Sequence, residues 1–174
     1  MLLIQKGASL FAGDDGPNNG KFHNLDSIQL PEIEEVSESH HAAGSHGEVA
    51  WGNLGMKALE PSFKLKGWDP QVMGMFGQRK RSPWTIYGNV LDKKTEDEVE
   101  VKSVIRARLG KISPEAFERG KLFGHDHSLH EVVHYELHFD GEEKIYWDFW
   151  EIAFRINGVP VNRDERRILR LPGA

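Results

Sequence analysis

Five of the nine histidines in this 174-residue chain fall within residues 125–138, in the stretch HDHSLHEVVHYELHFDG. Imidazole ligates transition metals and exchanges protons near neutral pH, so the clustering first suggests a metal centre or an acid–base site. On a helix, His130, His134 and His138 would share one face. The stretch alternates instead: Val133, Tyr135, Leu137 and Phe139 have one parity and the three histidines the other, and Asp140-Gly141 follows as a hairpin turn pair. Four residues of strand span about 13 Å, too far for two ligands that must each lie about 2 Å from one zinc ion. These three histidines are therefore expected to decorate a polar strand face. His125 and His127, an H-x-H pair, are close enough to share an ion, but no third ligand can be named. A monomeric β-barrel metalloenzyme using that pair stays as the minor alternative, and no metal, cofactor or catalytic residue is predicted.

Other chemistry is sparse. The chain has no cysteine, which excludes disulfides, thiolate metal sites and thiol catalysis and is weakly consistent with a cytosolic setting. No phosphate-binding loop, dinucleotide glycine motif or G-x-S-x-G elbow is present. The carboxylate pairs Glu34–Glu35 and Glu142–Glu143 are sequence neighbours, so on a strand they point to opposite faces and cannot work as an acid–base couple. Arg79, Lys80 and Arg81 form a basic patch without interleaved aromatics, the pattern of a solvated helix end rather than a nucleic-acid site. A net charge of −5 argues against a protein that grips phosphates. The opening residues MLLIQKGASL lack the basic start and cleavage region of a signal peptide, and no apolar run approaches the roughly 18 residues of a membrane span.

The elements that must position these residues are mostly β. AGDDGPNNGK (12–21) is turn-rich, and SHHAAGSHGEVAWGNLG (39–55) is a second long loop or open hairpin. SIQLPEIEEV (27–36) suggests an edge strand or bend around its proline, and ALEPSFKLKGW (58–68) another extended piece. One short helix is signalled near 69–76: Asp69 at the N-cap, Pro70 at the first helical position and Gly77 beyond the end, with Trp68, Val72, Met75 and Phe76 as a core-facing stripe. In DEVEVKSVIRARLGKI, Val99, Val101, Ile105, Ala107 and Leu109 alternate with charged residues, and only Ser103 and Val104 break the rule. KIYWDFWEIAFRI changes phase, apolar at Ile145, Trp147 and Phe149 and then at Trp150, Ile152, Phe154 and Ile156. A bulge near 149–150 or a strand buried on both sides is expected there. Asn157-Gly158 gives a further turn, and RDERRILRLPGA ends the chain as a short basic segment. Tyr146, Trp147, Phe149 and Trp150 exceed what one side of a thin sheet buries and point to a second packing partner.

The order of these motifs resembles the major tail tube protein family of contractile-tailed bacteriophages and phage-tail-like bacteriocins. The resemblance begins with SLFAGDDGPNNGKFHNLDSIQLPEIEEV and continues through HHAAGSHGEV, ALEPSFKLKGW and YGNVLDKKTEDEVEVKSVIRARLGKI. Its strongest part is VVHYELHFDGEEKIYWDFWEIAFRINGV, where a Tyr-x-Leu strand, an Asp-Gly turn, a return strand and Asn-Gly keep the family's spacing. The chain departs from the family in its richness in histidine and tryptophan, in the HHAAGSHG loop and in its basic ending.

The resemblance implies one tail-tube domain over 1–174, mainly β, with two packed antiparallel sheets as a small barrel or sandwich, one flanking helix and long assembly loops near 12–21 and 39–55. It implies a structural virion protein and no enzyme: six copies form a ring, and rings stack into the inner tube of the tail. Partners would be the tail sheath, tape measure, baseplate and tail terminator proteins, with DNA only in transit, no membrane anchor, and assembly in the host cytoplasm. Six copies at −5 each carry −30 per ring, and Glu32, Glu34, Glu35, Glu38 and Glu48 are the candidate lumen-facing acids. His40, His41, Gly44, His46, Gly47 and Trp51 are the candidate inter-subunit or inter-ring loop, and Tyr146, Trp147, Phe149 and Trp150 the candidate interface aromatics. The tube protein of a type VI secretion system, which shares the fold, is the second structural reading.

Overall fold

The computed structural model describes residues 2–14 and 16–171. Met1, Asp15 of the first turn-rich segment and the last three residues of the basic ending lie outside the described residues. In chain order the elements are β1 (Leu3–Ala12), β2 (Leu25–Gln29), β3 (Glu38–His40), β4 (Val49–Trp51), β5 (Ser62–Lys66), α1 (Pro70–Met73), β6 (Ser82–Asp92), β7 (Glu98–Pro114), β8 (Gly124–Phe139), β9 (Glu142–Asp148), β10 (Ala153–Ile156), β11 (Val159–Pro160) and α2 (Arg163–Ile168). The fold is mainly β, as expected, with a large antiparallel sheet and a small second one; among the described residues the expected small barrel is not closed.

The long sheet runs β1-β6-β7-β8-β9-β10-β11, while β3 and β4 pair only with each other. Strand β8 is the fork. Its first half, 124–128, pairs with β5, and its second half, 134–139, with β9, while β7 follows it along the other edge. Glu131 lies at the fork with φ +52°, held by Arg81 and Arg108 at 3.1 and 2.7 Å. The basic patch is thus partly neutralised by its own sheet.

Through β5 the sheet continues to β2, and the segment just before β2 returns beside β1 at the isolated bridge Phe11–Gly20, where the Lys21 N–H donates to Leu10 O at 2.8 Å. The bend encloses Leu10, Phe63, Leu65, Val72, Trp84, Ile105, Ala107, Leu109, Leu129 and Tyr135. Trp84 sits at the centre, fully buried, its indole N–H donating to Ala107 O at 3.3 Å. Alternation selects these residues: the odd positions of β7 from 103 to 109 are inward. Ser103 does not break the pattern but joins it, buried on the same face as Ile105.

Three expectations need correction. Helix α1 closes after one turn at Gly74, so Val72 and Met75 face the core while Trp68 and Phe76 are 65% and 56% exposed. The phase change in KIYWDFWEIAFRI is neither a bulge nor a doubly buried strand but a reversal: β9 ends at Asp148, residues 149–152 turn, and β10 pairs back with Phe154 opposite Trp147 and Ile156 opposite Ile145. Odd positions before the turn and even positions after it thus share a face. The Asp148 carboxylate closes the turn by accepting the Glu151 N–H at 2.8 Å, and Ile152 adopts φ +51°. Finally, the basic ending contains a helix, α2, which charge alone did not reveal. The two-residue turns at Asp140-Gly141 and Asn157-Gly158 are as expected, with positive φ at all four residues.

Candidate assembly surfaces

The histidines divide by parity. His125 and His127 share the inward parity of Leu129 and Val133 and are each 1% exposed. The His127 ring stacks on Phe63 at 4.8 Å and an interplanar angle of 4°. His125 lies 4.7 Å from both Trp68 and Phe123. Burial lowers the His127 pKa below the ordinary histidine value, because an apolar setting disfavours the charged ring. These are aromatic core residues. Among the described residues no group of three histidines or carboxylates is arranged to hold a metal ion.

His130, His134 and His138 occupy the opposite face, as expected for a polar strand face. His130 packs over Gly110, where a Cβ would come within 2.2 Å of the imidazole. His134 bridges two carboxylates, with Nδ1 2.9 Å from Asp148 Oδ2 and Nε2 2.9 Å from Glu136 Oε1. The other Glu136 oxygen lies 2.9 Å from His138 Nε2. Burial pushes the Asp148 pKa upward, but the Glu151 N–H and His134 outweigh it and hold the carboxyl below its ordinary value. The chain Asp148–His134–Glu136–His138 therefore ties β8 to the turn that follows β9.

That turn displays part of the aromatic cluster. Trp147 faces inward and packs on the core. Tyr146 lies on the outer face under the Arg155 guanidinium, 3.5 Å from the ring centroid, and donates to Glu151 at 2.7 Å. Burial and the adjacent carboxylate push its pKa up to about 12. Phe149 and Trp150 meet edge to face at 5.0 Å, and Trp150 is 68% exposed. Helix α2 stands against this turn, with Asn162 Nδ2 donating to Ile152 O at 2.9 Å.

The second surface is the segment 32–55, every residue of which is exposed. Its backbone is nonetheless regular. Glu38 pairs with Trp51, Ser39 with Ala50 and His40 with Val49. Below them the Val36 N–H donates to Gly55 O and the Lys57 N–H to Glu34 O, both at 2.9 Å. All the candidate loop residues, His40, His41, Gly44, His46, Gly47 and Trp51, lie on this hairpin arm. So do the five candidate acids. Glu34 pairs with Lys57 at 2.6 Å, and Glu35 accepts the Asn53 N–H at 3.2 Å. The arm tip is folded locally, with His41 Nε2 2.8 Å from Ser45 O.

A buried anchor that periodicity did not reveal fixes α1. Lys21 and Asp69 pair at 2.9 Å, and Asp69 also accepts from Asn24 at 2.9 Å and from the Val72 N–H at 3.0 Å.

The chain is thus a mainly β protein, a curled antiparallel sheet with a projecting arm and exposed aromatic patches. The chain belongs to the phage tail tube protein FII family, whose model matches residues 15–169. It is thus a structural tail tube protein and not an enzyme. No curated protein matches the chain. Its fold is similar to a chain of an extracellular contractile injection system, solved by cryo-EM as the PVC sheath–tube complex in the extended state. The TM-score is 0.53 at 7% identity, over 75% of this chain and 87% of that one.

Proposed function

We propose that this chain forms six-membered rings that stack into the inner tube of a contractile phage tail, a conduit for DNA during ejection. A tape measure protein would occupy the growing tube, a sheath protein would surround it, and baseplate and terminator proteins would cap its ends. Assembly would take place in the host cytoplasm. Family membership supports the tube itself. The observation that carries the multi-subunit reading is the arm, 32–55, whose backbone is ordered although none of its side chains is buried. An isolated two-stranded ribbon is marginal in water, so such an arm is useful where a neighbouring subunit covers it.

The acids divide accordingly. Glu32 and Glu34 line a cleft with Gln29, Lys57 and Glu60 at the root of the arm, and we retain them, with Glu35, as lumen-facing acids. A wall of this charge repels the duplex and lets it slide. Glu38 and Glu48 lie farther out. The long segment 12–21 remains a second assembly loop in this reading.

Electron microscopy of the concentrated protein, with and without purified baseplates as nuclei, tests the proposal. Six-fold rings or hollow tubes are expected. Dispersed monomers in both samples would refute it. DNA within purified particles separates a phage tail from an injection device, the second reading that the cryo-EM similarity supports.

A further inference from the structure

The arm carries acid and apolar surface together. Between 32 and 51 there are five glutamates and no lysine or arginine, and Val36, Val49 and Trp51 are exposed, Trp51 at 60%. The carboxylates of Glu38 and Glu48, unlike those of Glu34 and Glu35, have no ion-pair or hydrogen-bond partner among the described residues.

The opposite chemistry occurs where α2 meets the turn at 149–152. A groove of about 430 Å³ is lined by Trp147, Phe149, Trp150, Ile152, Phe154 and neighbouring residues. On α2, whose N-cap Asn162 lines the groove, Ile168 is 69% exposed, and the exposed arginines Arg163, Arg167 and Arg170 outnumber the exposed acids Asp164 and Glu165, Arg167 lying 3.4 Å from Asp164. The groove is preformed, because Asn162 and Arg166 both bond to Ile152 O and Asp148 closes the turn. The other basic and apolar region, around Phe76, is less complete: Trp68 already packs on His125 and Phe123, and Arg81 is paired with Glu131.

We propose that the arm of one copy docks on a second copy of this chain, Trp51 entering the groove at Phe149 and Trp150 while Glu38 and Glu48 meet the arginines of α2. The proposal rests on the tube reading and deepens it by pairing two named surfaces. Apolar anchors supply the affinity, and the opposed charges select this register over others.

The absence of cysteine makes the test clean. Ala50→Cys chains, which keep Trp51, and Ile168→Cys chains are mixed, assembled on baseplates and treated with a short bismaleimide. A linked dimer is expected for this pair and not for Ala50→Cys mixed with Phe76→Cys or Phe117→Cys. Tubes that give no link between positions 50 and 168, or that link to either control site instead, overturn the docking while leaving the tube reading intact. A link within one doubly substituted chain, absent from the mixture, also overturns it. Failure of the unsubstituted chain to assemble removes the tube reading and the docking with it. In a second arm of the test, Glu38→Arg with Glu48→Arg raises the protein concentration required for tubes about tenfold or more, and adding Arg163→Glu with Arg167→Glu recovers most of that shift. Equal assembly by the unsubstituted chain and both variants excludes the charge pairing.

Discussion

From Glu32 to Gly55 every residue is exposed, yet the backbone there is paired much as in β6 and β7, whose facing residues Trp84, Ile105 and Ala107 are fully buried. In the curled sheet, hydrogen bonds and apolar burial coincide. In the arm, hydrogen bonds stand alone. Net backbone hydrogen bonding in water contributes only about 1 kcal/mol per bond, so the arm adds little to the stability of the fold and depends on it for its position. In the proposed function, stability and assembly would thus be carried by different residues. The division suits a subunit that must fold as a monomer before it has neighbours.

Removing residues 41–48 and joining the strands with a two-residue turn gives the largest effect and bears directly on this division. Tube formation should be lost while the thermal midpoint of the monomer stays within about 2 °C of the parent, since the deleted residues bury nothing. Tubes seen by electron microscopy from this variant would remove the arm from assembly. A midpoint lowered by many degrees would instead make the arm part of the core.

Trp84→Ala tests the other half. The side chain is fully buried and packs against Phe63 at 5.4 Å. Truncation leaves a large cavity and should cost about 4 kcal/mol, measured by urea unfolding of the monomer. A loss below about 1 kcal/mol would mean that the curled sheet is not the stabilising unit.

The two regions were not equally legible in the sequence. Alternation identifies β7 and β8, and the Asp-Gly and Asn-Gly pairs identify their turns, because period and turn chemistry are local properties. Extended back along β8, the same alternation places His125 and His127 inside with Leu129, a signal present in the residues but overshadowed by their potential as ligands. The reversal at 149–152 was hidden because a turn without glycine or proline reads as a phase slip within one strand. Trp68 and Phe76 were misplaced because α1 ends after one turn, and a helical stripe requires more length than that. The arm was visible as a loop, but its exposure depends on what the rest of the chain fails to cover, and no local pattern encodes that. The pairing of Lys21 with Asp69 spans 48 positions and has no periodic signature.

That pair sharpens the comparison, because it joins the loop before β2 to α1 at the edge of the core. Burial raises the Asp69 pKa, but the Val72 N–H, Lys21 and Asn24 together outweigh it and keep the carboxyl below its ordinary value of 3.8. A carboxyl depressed in the folded state binds fewer protons there than in the unfolded chain, so stability rises with pH through this range. The contribution is fully present above about pH 5 and falls away as the pH drops through 3.8 and below. Asp69→Ala should cost about 3 kcal/mol at pH 7, because it strands the buried Lys21 ammonium and removes the cap of α1. Urea unfolding at pH 7 and again near pH 3 gives the slope. The variant should lose less stability than the parent on acidification, and parallel losses would show that Asp69 is not a protonation site linked to folding.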